Sequence, residues 1–313
     1  MNFGRNTFFF SLGILAVILL AFSFSCHKST VPIDIHNAWK ENHGDSISFI
    51  VLGDWGKYGG EAQLPVAEQM DVASRKFNVQ FIITTGDNFY PAGVNSMYDV
   101  HWQESFEKVY NKAGHQVPWY PTLGNHDYAG NADAEVQYSA ISKRWTMPAR
   151  YYSVRKKVDS THSVLLVFTD TSPLVGYSSQ DTAAQRKWME KTLSESNDTW
   201  KIAVGHHPVY SAGPHSNTAV LIQRFKRIFL QTKTDFYLAG HDHILQYSVL
   251  PNESVHYLIS GGGSEAYSVK PDANTLFAKA SPGFLLMTLY ANAANFYFFN
   301  HRGDLLYRRQ LLK

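Results

Sequence analysis

The chain has 313 residues, 44% hydrophobic and 17% charged, with 20 Phe, 18 Tyr and 7 Trp, a composition that excludes a disordered protein. Its 28 Lys and Arg against 26 Asp and Glu leave a formal net charge of +2, so it lacks the basic excess of a nucleic-acid binder and no nucleic acid is expected as a structural partner. No repeat of 20–50 residues is visible, which argues against a solenoid or a propeller.

Arg5 is the only charge before Lys28, and residues 8–24 (FFFSLGILAVILLAFSF) are apolar apart from two serines. A basic start, an apolar core and then small residues form the pattern of a secretory signal. The run is also just long enough to span a bilayer, so a retained signal anchor is the alternative. Cys26 is the single cysteine. It comes after Ser23-Phe24-Ser25, where a bacterial lipoprotein signal places its lipidated cysteine. The expectation is a signal peptide over 1–25, a lipid-anchor cysteine and linker over 26–45, and one folded domain over 46–313. The domain then acts outside the cytoplasm, in a bacterial cell envelope (periplasm or outer membrane), held to a membrane by the lipid or by the anchor. With no second cysteine it has no internal disulfide.

From residue 46 short apolar runs alternate with helical patterns. Strands are expected at 47–52, 79–84, 163–168, 201–204, 236–239, 257–260, 284–290 and 294–299, where Val, Ile, Phe and Tyr are dense. The 3.6-residue periodicity predicts helices over 63–76, 97–110, 183–194 and 219–231. Alternation followed by strand-rich sequence implies an α/β layered sandwich with mixed sheets.

The polar clusters at the ends of the apolar runs are more specific. ISFIVL leads into Gly53-Asp54, VQFIITT into Gly86-Asp87-Asn88-Phe89-Tyr90, and VPWYPTL into Gly124-Asn125-His126-Asp127. KIAV leads into Gly205-His206-His207, and FYLA into Gly240-His241-Asp242-His243. Sites in open α/β sheets form beyond the carboxyl ends of strands, so all five clusters are expected to converge on one cavity. Two carboxylates, an amide oxygen, a phenol and three imidazoles exceed what one tetrahedral zinc takes. They suit two six-coordinate ions, imidazole favouring Zn or Fe and the anionic oxygens a harder ion such as Fe(III). Two ions about 3.5–4 Å apart clamp an in-line displacement at phosphorus.

These blocks resemble the binuclear metallophosphoesterases, and more narrowly the small, tartrate-resistant, mammalian-type branch of the purple acid phosphatases. The tyrosine three residues after the second aspartate, Tyr90 after Asp87, carries that distinction. Lys143-Arg144-Trp145 and residues 240–247 also look like the small branch, and the likeness runs from about Ile47 to the C-terminus. The resemblance implies a four-layer αββα metallophosphoesterase sandwich with two mixed β-sheets over 46–313. It implies Fe(III) on Asp54, Tyr90 and His243, Asp87 bridging, and Fe(II) or Zn(II) on Asn125, His206 and His241. His126 and His215 match the substrate-side positions that bind phosphate and protonate the leaving alkoxide. Asp127 and Asp242 are expected to orient neighbouring imidazoles, and His207 receives no role. The implied activity is hydrolysis of a phosphate monoester by a metal-bound hydroxide, with an acidic optimum, in a monomer. A nucleotide or diester phosphoesterase on the same centre, and a non-catalytic envelope binding lipoprotein, are the alternatives. The chain departs from the small animal enzymes in lacking their disulfide. Its short connection TSPLVGYSSQDT also argues against activation by proteolysis.

Overall fold

A computed structural model of the protein describes residues 1, 2, 4, 45–60 and 62–313. The expected signal core, Cys26 and nearly all of the linker lie outside the described residues. Among the described residues, no helix is long and apolar enough to cross a membrane. One compact unit runs Asn42–Lys313.

In chain order the strands are β1 (Ile47–Leu52), β2 (Val79–Thr84), β3 (Trp119–Pro121), β4 (Tyr152–Lys157), β5 (Ser163–Phe168), β6 (Trp200–Val204) and β7 (Phe236–Ala239). They continue with β8 (Leu245–Ser248), β9 (His256–Ser260), β10 (Thr275–Lys279), β11 (Gly283–Leu289), β12 (Ala293–Asn300) and β13 (Leu305–Leu312). The α-helices are α1 (Gln63–Phe77), α2 (Asn125–Tyr128), α3 (Ala132–Tyr138), α4 (Thr182–Ser194) and α5 (Ala219–Thr232). One sheet has the order β13-β12-β11-β1-β2-β3, the other β10-β8-β9-β7-β6-β5-β4. Both are mixed. β1, β2 and β3 run parallel while β11 pairs antiparallel to β1. In the second sheet β5, β6, β7 and β9 run parallel, with antiparallel β4 and β8 beside them.

The inner faces meet through apolar and aromatic side chains, as at Tyr247–Phe296 with ring centroids 4.9 Å apart. Polar stitches are sparse and paired: Ser260 Oγ donates to Val51 O at 2.7 Å, and Thr122 Oγ1 to Thr169 O at 2.8 Å. α1 lies on the first sheet and α4 on the second, beside α5. The apolar stripe of α5 (Leu221, Phe225, Ile228, Phe229) is buried with Met189 and Leu193 of α4 and with Val167 and Tyr237 of the sheet. The result is helix, sheet, sheet, helix, as the composition of buried and half-buried runs requires.

The helix expected over 97–110 is not formed as such. Asp99 accepts the backbone N–H of Asn95 (2.8 Å) and of His101 (2.9 Å), so its side chain competes with the helical ladder. The continuation, Trp102–Glu107, is a π-helix in which Lys108 N donates to Gln103 O at 3.0 Å. β3, which falls within the apolar run 117–123 expected to lead into Gly124, and β4, β10 and β13, which the sequence patterns do not predict, are the four edge strands of the two sheets. Each is short or carries charges such as Arg155, Lys156 and Arg308, devices that blunt sheet edges and hide the strand signal. β8, also unpredicted, is four residues long and starts two residues after His243.

Candidate metal centre

Parallel pairing sets the ends of β1, β2 and β3 level, Leu52 opposite Thr84 and Thr84 opposite Pro121, and those of β6 and β7 likewise, Val204 opposite Leu238. The turns beyond them interlock. Asp54 N donates to Gly86 O at 3.1 Å, and Gly240 N to His206 O at 2.9 Å. Three candidate residues hold left-handed backbone, Asp54 (φ 62°), Asp87 (φ 48°) and His241 (φ 69°), a strain that persists only where the surroundings enforce it. Both carboxylate oxygens of Asp54 take part, accepting His241 N at 3.0 and 3.2 Å. Gly86 has φ 88°. A Cβ there would stand 2.7 Å from Gly124 N and 2.8 Å from His206 Nδ1, so only glycine lets the second and third loops meet.

Seven donor side chains converge. Tyr90 OH lies 3.1 Å from Asp54 Oδ1, 3.0 Å from Asp87 Oδ2 and 3.0 Å from His243 Nε2. His206 Nε2 lies 3.1 Å from Asn125 Oδ1, 3.2 Å from His241 Nδ1 and 3.4 Å from Asp87 Oδ2. Asp87 therefore belongs to both groups. His206 Nδ1 is 2.8 Å from Thr85 O, which places its proton on Nδ1 and turns the Nε2 lone pair inward, the usual device for an imidazole ligand.

The charges fit a cation pair. Burial pushes the Asp54 carboxyl well above the usual carboxylate range; His206 opposes that shift and Asp87 adds to it. Burial, then the Asp54 and Asp87 carboxylates, push the Tyr90 phenol far up as well. Burial opposes a charge on His206, but Asp87 and then Asp54 hold it up to about 9. Burial brings His241 down to about 2 and His243 to about 4, leaving both neutral, the form that ligates. Two buried carboxylates and a phenol, with imidazoles around them and Lys57 Nζ 4.9 Å from the Tyr90 ring centroid, form a nest of oxygens that a bound cation would invert from costly to favourable.

His126 and His215 flank this cluster on different sides. The His126 ring lies 4.4 Å from that of Tyr90, its Nδ1 is 2.7 Å from Pro91 O, and its Nε2 is 4.0 Å from Asp87 Oδ2. His215 is exposed, its ring 4.4 Å from that of His241. Asp127 and Asp242 differ from expectation: they hold backbone rather than imidazoles. Asp127 accepts the N–H of Gly124 and of Asn88, each at 2.8 Å, and Asp242 accepts that of His215 at 3.0 Å.

Several residues of the site carry no sequence signal. His207, given no role from sequence, is buried with its ring 4.4 Å from that of His241. A ring nitrogen of each of His206, His207 and His241 lies within 4.8 Å of the others. Asn88 is a buried hub, with Nδ2 2.9 Å from both Thr122 O and Glu135 Oε2 and Oδ1 accepting from Trp55 Nε1 at 3.2 Å. Glu265 Oε1 stands 2.8 Å from His243 Nδ1, out of line for a hydrogen bond, and 2.8 Å from Lys57 Nζ. Tyr267 stacks on His243 with centroids 4.1 Å apart. Only the doubled His206-His207 could have been flagged in advance; the others come from loops whose approach is tertiary.

A two-sheet sandwich with carboxylate, amide, phenol and imidazole donors at its strand ends defines a metal-dependent phosphoesterase. Residues 47–245 match the family model of the calcineurin-like phosphoesterases. Purple acid phosphatase 7 of Arabidopsis thaliana is 34% identical over 299 residues, covering 89% of each chain. Tartrate-resistant acid phosphatase type 5 of Oryctolagus cuniculus is 32% identical over 246 residues, covering 72% of this chain and 75% of that one. Among solved structures, a yellow lupin (Lupinus luteus) seed purple acid phosphatase superposes with a TM-score of 0.68 at 14% identity, over 86% of this chain and 54% of that chain. GAP50, described as the anchor in the inner membrane complex of Plasmodium, shares the fold with a TM-score of 0.78 at 23% identity, over 86% of this chain and 89% of its own. The chain belongs to the calcineurin-like phosphoesterases and, within them, to the purple acid phosphatases. It is a metal-dependent acid phosphatase.

Proposed function

We propose that the protein hydrolyses phosphate monoesters at acidic pH, with Fe(III) held by Asp54, Tyr90 and His243, Fe(II) or Zn(II) by Asn125, His206 and His241, and Asp87 shared. The observation that carries this is the single Asp87 oxygen lying 3.0 Å from the Tyr90 phenol and 3.4 Å from His206 Nε2. When bound, two such cations neutralise phosphate charge and acidify a water, in the zinc case from a pKa of 15.7 to about 7. The protein positions everything else. Pro91 O holds the proton of His126 on Nδ1, so a second proton on Nε2 is free to pass to the departing alkoxide. His215, fixed through its backbone by Asp242, adds a donor for phosphate oxygens on the His241 side. Metal analysis and a visible spectrum of the purified domain test the centre. Iron with a broad visible band that Tyr90→Phe abolishes is the expected result; a colourless, iron-free protein that turns over equally well overturns it. A panel of a monoester, a diester and nucleotides tests the substrate class, and equal or better diester turnover would remove the monoester assignment.

Delivery is part of the same proposal. Residues 1–25 direct export, Cys26 carries a lipid or the apolar run stays as an anchor, and residues 26–45 tether a monomeric domain in the bacterial envelope. Cys26→Ser should move the protein from the detergent phase to the aqueous phase on phase separation. Unchanged partition, with residues 1–25 absent from the mature protein, rules the lipid out.

A further inference from the structure

The cavity of about 450 Å³ walled by Tyr58, Pro91 and Tyr267 beside His126 belongs to the metal centre. A separate cavity of about 410 Å³ lies between α4 and α5, lined by Arg186 and Glu190 of the first helix and by Gln223, Arg224, Arg227 and Ile228 of the second. The lining follows from helical spacing. Arg186 and Glu190, Gln223 and Arg227, and Arg224 and Ile228 are each four residues apart, so each helix turns a stripe of side chains toward the groove. The apolar stripes next to them, Met189 and Leu193 on α4 and Leu221, Phe225 and Phe229 on α5, are buried together and fix the two helices side by side. The charge is lopsided. α4 and α5 carry six Lys and Arg against one acid, Glu190, in a chain with 28 against 26. Glu190 is taken by Arg227 at 3.6 Å, and Lys226 is paired with Glu253 at 2.6 Å. Arg186 and Arg224 are half-buried, and among the described residues neither has a hydrogen-bond or ion-pair partner. The groove of about 770 Å³ beside Tyr98, Trp102 and Ile141 also holds an arginine, but there Arg144 is engaged by Glu107 and by Tyr110 O.

We infer that the groove between α4 and α5 is a second anion site, independent of the seven donors, in which Arg186 and Arg224 hold a phosphate group, either inorganic phosphate or the head of an anionic phospholipid. Two guanidinium groups brought to one cavity without an acid repel each other, and an anion between them turns that repulsion into attraction. The planar fork of each guanidinium matches the oxygens of a phosphate. Gln223 adds an amide N–H, and Arg227, by holding Glu190, keeps the one carboxylate of the groove from closing on the other two arginines. None of the seven donors lines this cavity, so binding there needs neither metal nor turnover. The site stands whether or not the protein hydrolyses monoesters. Both sources of the ligand are within reach of a tethered phosphatase, which releases inorganic phosphate and faces a bilayer.

The test uses the full chain in nonionic detergent, stripped of metal by a chelator, with two probes: inorganic phosphate and the water-soluble lipid dihexanoyl phosphatidylglycerol. Isothermal titration calorimetry compares the wild type, the double variant Arg186→Gln with Arg224→Gln, and Lys187→Gln, which removes an exposed cation of α4 outside the groove. Loss of two charge-assisted partners should weaken binding at least about tenfold in the double variant. Lys187→Gln should stay within about twofold of the wild type. Tighter binding of inorganic phosphate marks a free-anion site, tighter binding of phosphatidylglycerol a membrane-facing one, and comparable binding the shared phosphate group. No binding of either probe by the wild type, or an unchanged affinity in the double variant, overturns the site. An equal loss in Lys187→Gln also overturns it, reducing the groove to diffuse surface charge.

Discussion

At the scale of single residues, the centre depends on side chains that serve two neighbours at once. Asp87 is the clearest. Its Oδ2 reaches both donor groups, while its Oδ1 accepts His126 N at 2.8 Å. Asp87→Asn should therefore lower the metal content of the purified protein and cut kcat by more than about 100-fold, measured by elemental analysis beside steady-state kinetics; full metal occupancy would contradict a shared ligand. Asn88 points away from the donors and ties loops together instead. Asn88→Ala would remove the buried hydrogen bonds to Glu135 Oε2 and Thr122 O and the acceptor of Trp55 Nε1, at a cost of about 2–4 kcal/mol, readable as a lower urea midpoint with an unchanged slope. The donors themselves were legible because each stands in a block opened by a glycine at a strand end. Asn88, Glu265 and Tyr267 were not, because a single sequence gives no sign that a side chain is buried between loops 30 or more residues apart.

At the scale of elements, the loops matter more than the strands that carry them. The left-handed turns at Asp54, Asp87 and His241 exist because neighbouring loops accept and donate to one another across the strand ends. Gly86→Ala should cost on the order of 1–3 kcal/mol for the forbidden backbone region alone. It should also displace His206, so activity is lost together with stability; a thermal melt and a metal titration on the same variant measure both. The sequence patterns located the interior strands β1, β2, β5 and β7 residue for residue, since a strand covered on both faces reads as an unbroken apolar run. The edge strands β4, β10 and β13 escaped because one side meets solvent, and sequences such as YSVRKK and LLYRRQLL look like exposed polar chain. The helix expected near Trp102 failed for a different reason, the capping side chain of Asp99.

At the scale of the whole molecule, buried acids make stability depend on pH and on metal. Asp127 and Asp170 are raised to about 7, each chiefly by burial, with Asp87 adding to the shift at Asp127. An unfolded aspartate ionises near 3.9, so the unfolded chain loses these protons first and folding stability falls as pH rises from about 4 to 7. His206, held up to about 9, stabilises the fold below about 6.5 and loses that contribution as pH climbs through 9. Both effects have the same sign, but burial holds His115, His243 and His256 down to about 4 and His241 to about 2, and these neutral histidines add stability as pH rises from about 4 to 6.5, so the net fall belongs to the range above about 7. The metal-free protein should melt at a lower temperature at pH 9 than at pH 7, by differential scanning calorimetry. Restoring the metals should raise the midpoint most at the higher pH, by roughly 4 kcal/mol of stability at 1,000 times Kd. A flat profile over that range without metal would show that Asp87 and Asp54 do not hold the His206 proton.

The order of apolar runs, the glycine-acid and glycine-histidine blocks and the tyrosine three residues after Asp87 are local patterns. They determined the α/β class and the family and singled out seven side chains that the fold brings together, because periodicity and spacing survive in one dimension. Tertiary structure alone decided that one Asp87 oxygen lies between two donor groups, that Asp127 and Asp242 hold backbone rather than imidazoles, and that Tyr58 and Tyr267 wall a cavity beside His126. Those outcomes depend on distances between loops far apart in the chain, set by how two sheets stack and how parallel strands align their ends, and packing of that kind leaves no period in the sequence.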